Sequence, residues 1–123
     1  MPRLSVHDPL AEEPATKDDV KAAQQRAESA PVTTFAGLAD ADERSVARIG
    51  LVLKYLNRSA RETIAWRMAD NSERNFTVAE FTRFTNDVEQ AYTERMVRVH
   101  LQARILKQAP LTRRELEDVD WES

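Results

Sequence analysis

The stretch from 76 to 108 constrains this chain more than any other, because it reads as one uninterrupted helix. Thr77 and Glu80 have the spacing of a capping box, in which hydroxyl and carboxylate each satisfy an orphan backbone N–H. Phe76 and Phe81 flank that cap at the spacing of a hydrophobic staple. Apolar side chains then recur at Phe81, Phe84, Val88, Tyr92, Met96, Val99, Ala103 and Leu106. Their mean step is about 3.6 residues, the α-helical period. Pro110 supplies the stop, since it lacks an N–H and clashes with the preceding turn. A helix at about 78–108 is roughly 46 Å long at the α-helical rise.

The same start signals recur elsewhere. Asp40 with Glu43 opens a helix that places Val46, Ile49, Val52, Leu53 and Leu56 on one broad face, with Leu51 and Tyr55 toward its other side. Ser59 with Glu62 opens a third, carrying Ile64, Ala65 and Met68, with Trp66 about 200° from Ile64 on a helical wheel. Thr112 with Glu115, and Leu111 with Leu116, open a short acidic helix. The spacing therefore predicts an all-α fold, a small helical bundle built on one long helix. Residues 1–34, with Pro2, Pro9 and Pro14, read as a polar and largely extended arm containing a short helix over 17–29. Residues 35–123 read as a single helical domain with an acidic C-terminal tail over 115–123.

Composition narrows the chemistry. There is no cysteine, which removes disulfides and thiol catalysis, and only Gly37 and Gly50 are available for a phosphate-cradling loop. His7 and His100 are far apart, and the paired acids Glu12-Glu13, Asp18-Asp19 and Glu117-Asp118 sit in polar segments rather than a cleft. No catalytic residue, cofactor, metal or small-molecule substrate is indicated. No run approaches the length of a membrane span. Residues 1–10 lack the basic and apolar regions of a secretory signal, so the expected setting is the cytoplasm or a virion or other large complex.

Charge is unevenly distributed. Residues 1–43 hold four basic and nine acidic side chains, residues 44–114 hold fourteen and seven, and residues 115–123 hold five acids and no base. From 95 to 114 the chain carries Arg95, Arg98, Arg104, Lys107, Arg113 and Arg114 without an acid. Cations late in a helix complement its dipole, but six exceed that need, and arginine forks suit phosphate or carboxylate oxygens. These six are the candidate contacts for an anionic partner. Val97, Leu101 and Ile105 form a second apolar stripe beside the first, more than one short neighbour can bury. With Trp66 and Trp121 they are the candidate protein interface.

The expected function is therefore non-enzymatic: a small helical subunit that binds macromolecules, with a protein partner or a second copy of itself. The alternative is DNA binding through a helix-turn-helix. Residues 77–82 would be its first helix, 85–87 its turn and 88–101, with Arg95 and Arg98, its recognition helix. In that form the stretch is loosely similar to winged-helix regulators, which implies duplex DNA as ligand. The turn lacks glycine, and no strand pair for a wing follows.

Overall fold

The computed structural model describes residues 13–108 and 111–122. Their elements in order are α1 (Lys17–Glu28), β1 (Val32–Thr34), β2 (Gly37–Ala39), α2 (Glu43–Arg58), β3 (Thr63–Arg67), β4 (Glu73–Thr77), α3 (Val78–Gln108) and α4 (Arg113–Glu117). Helix accounts for 59% and strand for 17% of the described residues, so the fold is mixed α and β and the all-α expectation is overturned. Two antiparallel hairpins, β1–β2 and β3–β4, make the difference. The chain packs as two units: Glu28–Met96, here the hairpin unit, and the described parts of Met1–Ala27 and Val97–Ser123, here the split unit.

The β3–β4 hairpin replaces the expected third helix and the polar loop after it. Its register pairs Thr63 with Thr77, Ile64 with Phe76 and Trp66 with Arg74. Ile64, Trp66 and Met68 alternate with the exposed Thr63, Ala65 and Arg67, the period of a half-buried strand. Side chains two residues apart oppose each other on a helix but share one face of a strand. Trp66 therefore lies on the same side as Ile64. Ser59 is the C-terminal cap of α2, its backbone N–H donating to the Leu56 carbonyl, rather than a helix start.

The turn of this hairpin explains why it closes here. Asn71 N–H donates to the Met68 carbonyl at 3.0 Å and Met68 N–H to the Ser72 carbonyl at 2.8 Å. Asn71 has φ 69°, in the left-handed region. This is a three-residue loop in which a type I turn is followed by one left-handed residue. Asparagine tolerates that conformation, whereas a β-branched residue resists it. Asn71→Val should cost about 1–2 kcal/mol, and Asn71→Gly should stay near wild type. Urea unfolding of the two variants checks this; equal midpoints would contradict it.

The first hairpin is shorter. Val32, Thr33 and Thr34 pair with Ala39, Leu38 and Gly37. The Thr34 hydroxyl donates to the Gly37 carbonyl at 2.8 Å and accepts from Ala36 N–H at 3.1 Å, closing the turn by side chain. Gly37 has φ 121°, which a residue with Cβ rarely adopts. Ala69 N–H donates to the Leu38 carbonyl at 3.0 Å, tying the two hairpins together. The Phe35 N–H donates to Asp87 on α3 at 3.0 Å, and the Arg83 guanidinium stands 4.3 Å over the Phe35 ring.

α3 starts as the sequence predicts. Thr77 N–H donates to Glu80 Oε1 at 2.8 Å and Glu80 N–H to Thr77 Oγ1 at 3.1 Å, the reciprocal capping box. The Phe76 and Phe81 rings meet at 5.8 Å as the staple. Phe81, Phe84 and Val88 are fully buried and join Ile49, Leu56, Met68 and Phe76 in the core of the hairpin unit. α3 continues without a break to Gln108, so no turn forms at 85–87 and the helix-turn-helix geometry is absent there. Pro110, the expected stop, lies outside the described residues.

The split unit has a smaller core of Val20, Ala23, Ala103 and Leu116, covered by Leu106, Leu111, Val119 and Trp121. α1 falls within the helix expected over 17–29. Thr16 N–H donates to Asp19 Oδ2 at 2.9 Å and Asp19 N–H to Thr16 Oγ1 at 3.1 Å, capping its start. α4 opens with the predicted box, Thr112 and Glu115 each bonding the other's backbone N–H. Ala15 N–H donates to the Leu111 carbonyl and Arg113 N–H to the Glu13 carbonyl, both at 2.8 Å, forming an antiparallel bridge between Pro14 and Thr112. Of the expected extended arm, residues 1–12 lie outside the described set.

Candidate functional site

Two surfaces carry side chains that the fold itself does not use, one in each unit. In the split unit, Val97, Leu101 and Ile105 are 53%, 53% and 65% exposed, though Val99 and Ala103 on the same helix are buried. At i, i+4 and i+8 they form one stripe directed away from the small core. The two-sided apolar pattern of this half of α3 is therefore present in the structure. His100, Arg104 and Lys107, all exposed, follow the same helix at i, i+4 and i+7 and border one edge of the stripe.

The six cations predicted as anion contacts do not share one environment. Arg95 is 4% exposed, because the spacing 88, 92, 95, 99 places it on the buried face of α3. Arg98 Nη2 pairs with Glu122 at 2.9 Å, and its Nε donates to the Trp121 carbonyl at 3.3 Å. Arg113 pairs with Glu13 at 3.0 Å and with Asp19 at 3.3 Å. The Thr16 N–H, with Arg113 beside it, holds the Asp19 carboxyl below its ordinary 3.8. Arg114 lies 3.5 Å from Glu117. Exposed pairs of this kind add little to stability, because water and salt screen them. What they change is availability: the chain's own acids occupy three of the six. Arg104 and Lys107 make no ion pair among the described residues.

The two tryptophans also separate. Trp121 is half-buried against the small core, so it holds the last described residues down instead of presenting a ring to a partner. The Gln102 amide donates to the Asp120 carbonyl at 3.1 Å beside it. Trp66 is half-buried in the hairpin unit, its ring 5.5 Å from Phe81 in an edge-to-face contact. It also lines an open cleft of about 330 Å³ with Asp40, Ser45, Arg48 and Arg67.

Sequence reasoning placed Leu51 and Tyr55 toward this side of their helix but missed the arginines around them. On α2, Arg44, Arg48, Leu51, Tyr55 and Arg58 are exposed and fall at i, i+4, i+7, i+11 and i+14, a single outward stripe. Between 44 and 67 the chain has six basic residues and one acid, Glu62. Among the described residues none of those six makes an ion pair. The signal was this arginine spacing, which the apolar residues of the same helix overshadowed.

The described residues contain no cluster of three metal-ligating side chains, and none of the described helices is long and apolar enough to cross a membrane. The described residues define a mixed α/β fold with two hairpins, one long helix and two exposed faces whose side chains the fold does not use. The chain belongs to the family described as domain of unknown function DUF4376, whose model matches residues 11–123. No curated protein and no solved structure matches it.

Proposed function

We propose that the protein is a non-catalytic binding subunit that docks an acidic amphipathic helix of another protein on the last turns of α3. The observation that carries this is the stripe of Val97, Leu101 and Ile105, each more than half exposed on a helix whose opposite side is buried. An apolar stripe of this shape accepts the apolar face of a partner helix. Charge selects the partner. The free cations Arg104 and Lys107 beside the stripe favour a helix edged with glutamate or aspartate. A second copy of α3 would instead set Arg104 and Lys107 near their own likes, which disfavours self-pairing.

A short designed helix with leucines on one face and glutamates on both edges is the direct probe, with a lysine-edged twin as control. Titrated into isotope-labelled protein, the glutamate-edged helix should shift amide signals confined to 97–108. Leu101→Asp should abolish those shifts, and Arg104→Glu should weaken them. Equal binding of the twin, or shifts elsewhere, would refute the reading. So would concentration-dependent self-association lost in Leu101→Asp, which would assign the stripe to a second copy.

A further inference from the structure

We propose that the hairpin unit binds single-stranded nucleic acid along the outward face of α2, with one base held in the cleft against Trp66. This surface is separate from the α3 stripe, so either assignment stands or fails without the other.

Charge is the first line of support. Arg44, Arg48 and Arg58 share one exposed stripe of α2, and Arg67 reaches the same cleft as Arg48 from β3. Unlike Arg98 and Arg113 in the split unit, none of these four makes an ion pair among the described residues. Guanidinium forks left open in a row suit the successive phosphates of a backbone. A carboxylate-rich protein would satisfy that charge equally well, so the aromatic groups decide the ligand.

Tyr55 stands among those arginines on α2 and is 56% exposed. Trp66 walls the cleft while Phe81 supports its ring from within the unit at 5.5 Å. A large aromatic ring left open beside cations is a stacking platform, and stacking needs bases whose faces are not already paired. That requirement favours a single strand over a duplex. The cleft volume of about 330 Å³ suits a base rather than a whole dinucleotide. Asp40, the one acid in its lining, is an acceptor for the exocyclic amine of a base. Ser45 adds a hydroxyl that serves as donor or acceptor.

The test uses Trp66 as its own reporter. The chain has two tryptophans, so Trp121→Phe leaves Trp66 as the only indole. A mixed-sequence single-stranded oligonucleotide should quench its emission, and a duplex of the same sequence should do so far less. Replacing Arg48 and Arg67 by alanine removes two exposed side chains, and circular dichroism confirms the fold is kept. In that variant the slope of log affinity against log salt should flatten by about 1.4, the value for two single-strand phosphate contacts. Inorganic polyphosphate binding as tightly as the oligonucleotide would overturn the proposal, since it offers charge without bases. An unchanged affinity in the double variant, or no binding at low salt, would overturn it too.

Discussion

Phe81→Ala should lower the unfolding free energy by about 3–5 kcal/mol, the cost of emptying a fully packed aromatic site. Phe81 is wholly buried. Its ring lies 5.5 Å from Trp66, 5.8 Å from Phe76 and 5.6 Å from Phe84. Truncation therefore removes three ring contacts at once, and strands, staple and helix lose their common neighbour. Domains of this size are stable by about 5–15 kcal/mol, so little would remain. Urea unfolding followed by far-ultraviolet circular dichroism measures the loss. Phe81→Leu, which keeps most of the volume, should cost distinctly less. A loss below about 1 kcal/mol for the alanine variant would show that the cluster is not the centre of the hairpin unit.

Val20→Asp should melt the split unit. Val20 is 1% exposed in a core whose further buried members among the described residues are Ala23, Ala103 and Leu116. A carboxylate placed there has no buried cation among those neighbours, and burying it costs several kcal/mol. Two of those four described residues are alanines, which bury little apolar area to oppose this cost. Amide hydrogen exchange should show protection lost across α1 and α4. Amides of the β3–β4 hairpin should keep theirs, because their core is made of other residues. Retained protection in α1 would refute the assignment of Val20 to the centre of this unit.

The helices were legible where the signal was redundant. α3 announced itself through cap, staple and period together, and α4 through its threonine–glutamate box. The hairpins were not legible, for different reasons. Ahead of β3, Ser59 and Glu62 imitate a capping box by spacing alone, and that drew a helix over residues whose true period is two. Ile64, Trp66 and Met68 against Thr63, Ala65 and Arg67 carried the correct signal, and Asp70-Asn71 marked the turn. β1 and β2 have three residues each, too few for any period to develop. Their turn depends on the Thr34 hydroxyl, a contact that only the folded geometry reveals.

The candidate sites divide in the same way. The Val97, Leu101 and Ile105 stripe followed from periodicity, since nothing short could cover both sides of α3. Arg95 was grouped by its charge, whereas its helical position set its burial. Trp66 was singled out as an interface residue, but the helical assignment hid its neighbours: Arg48 and Arg67 line a cleft with it only once residues 63–67 are a strand.

The bridge between Pro14 and Thr112 orders events in time. Asp19 and Arg113 meet across 94 residues of sequence, and closing a flexible loop of that length costs about 4 kcal/mol of chain entropy. The contacts of the hairpin unit lie within Glu28–Met96 and can form before residues beyond 112 have left the ribosome. Until residues beyond 112 leave the ribosome, α1 has no α4 to pack against, and Val20 and Ala23 face water. The nascent protein therefore passes through a stage with one unit finished and the other waiting. During that interval the 17–28 segment is open to proteases and chaperones.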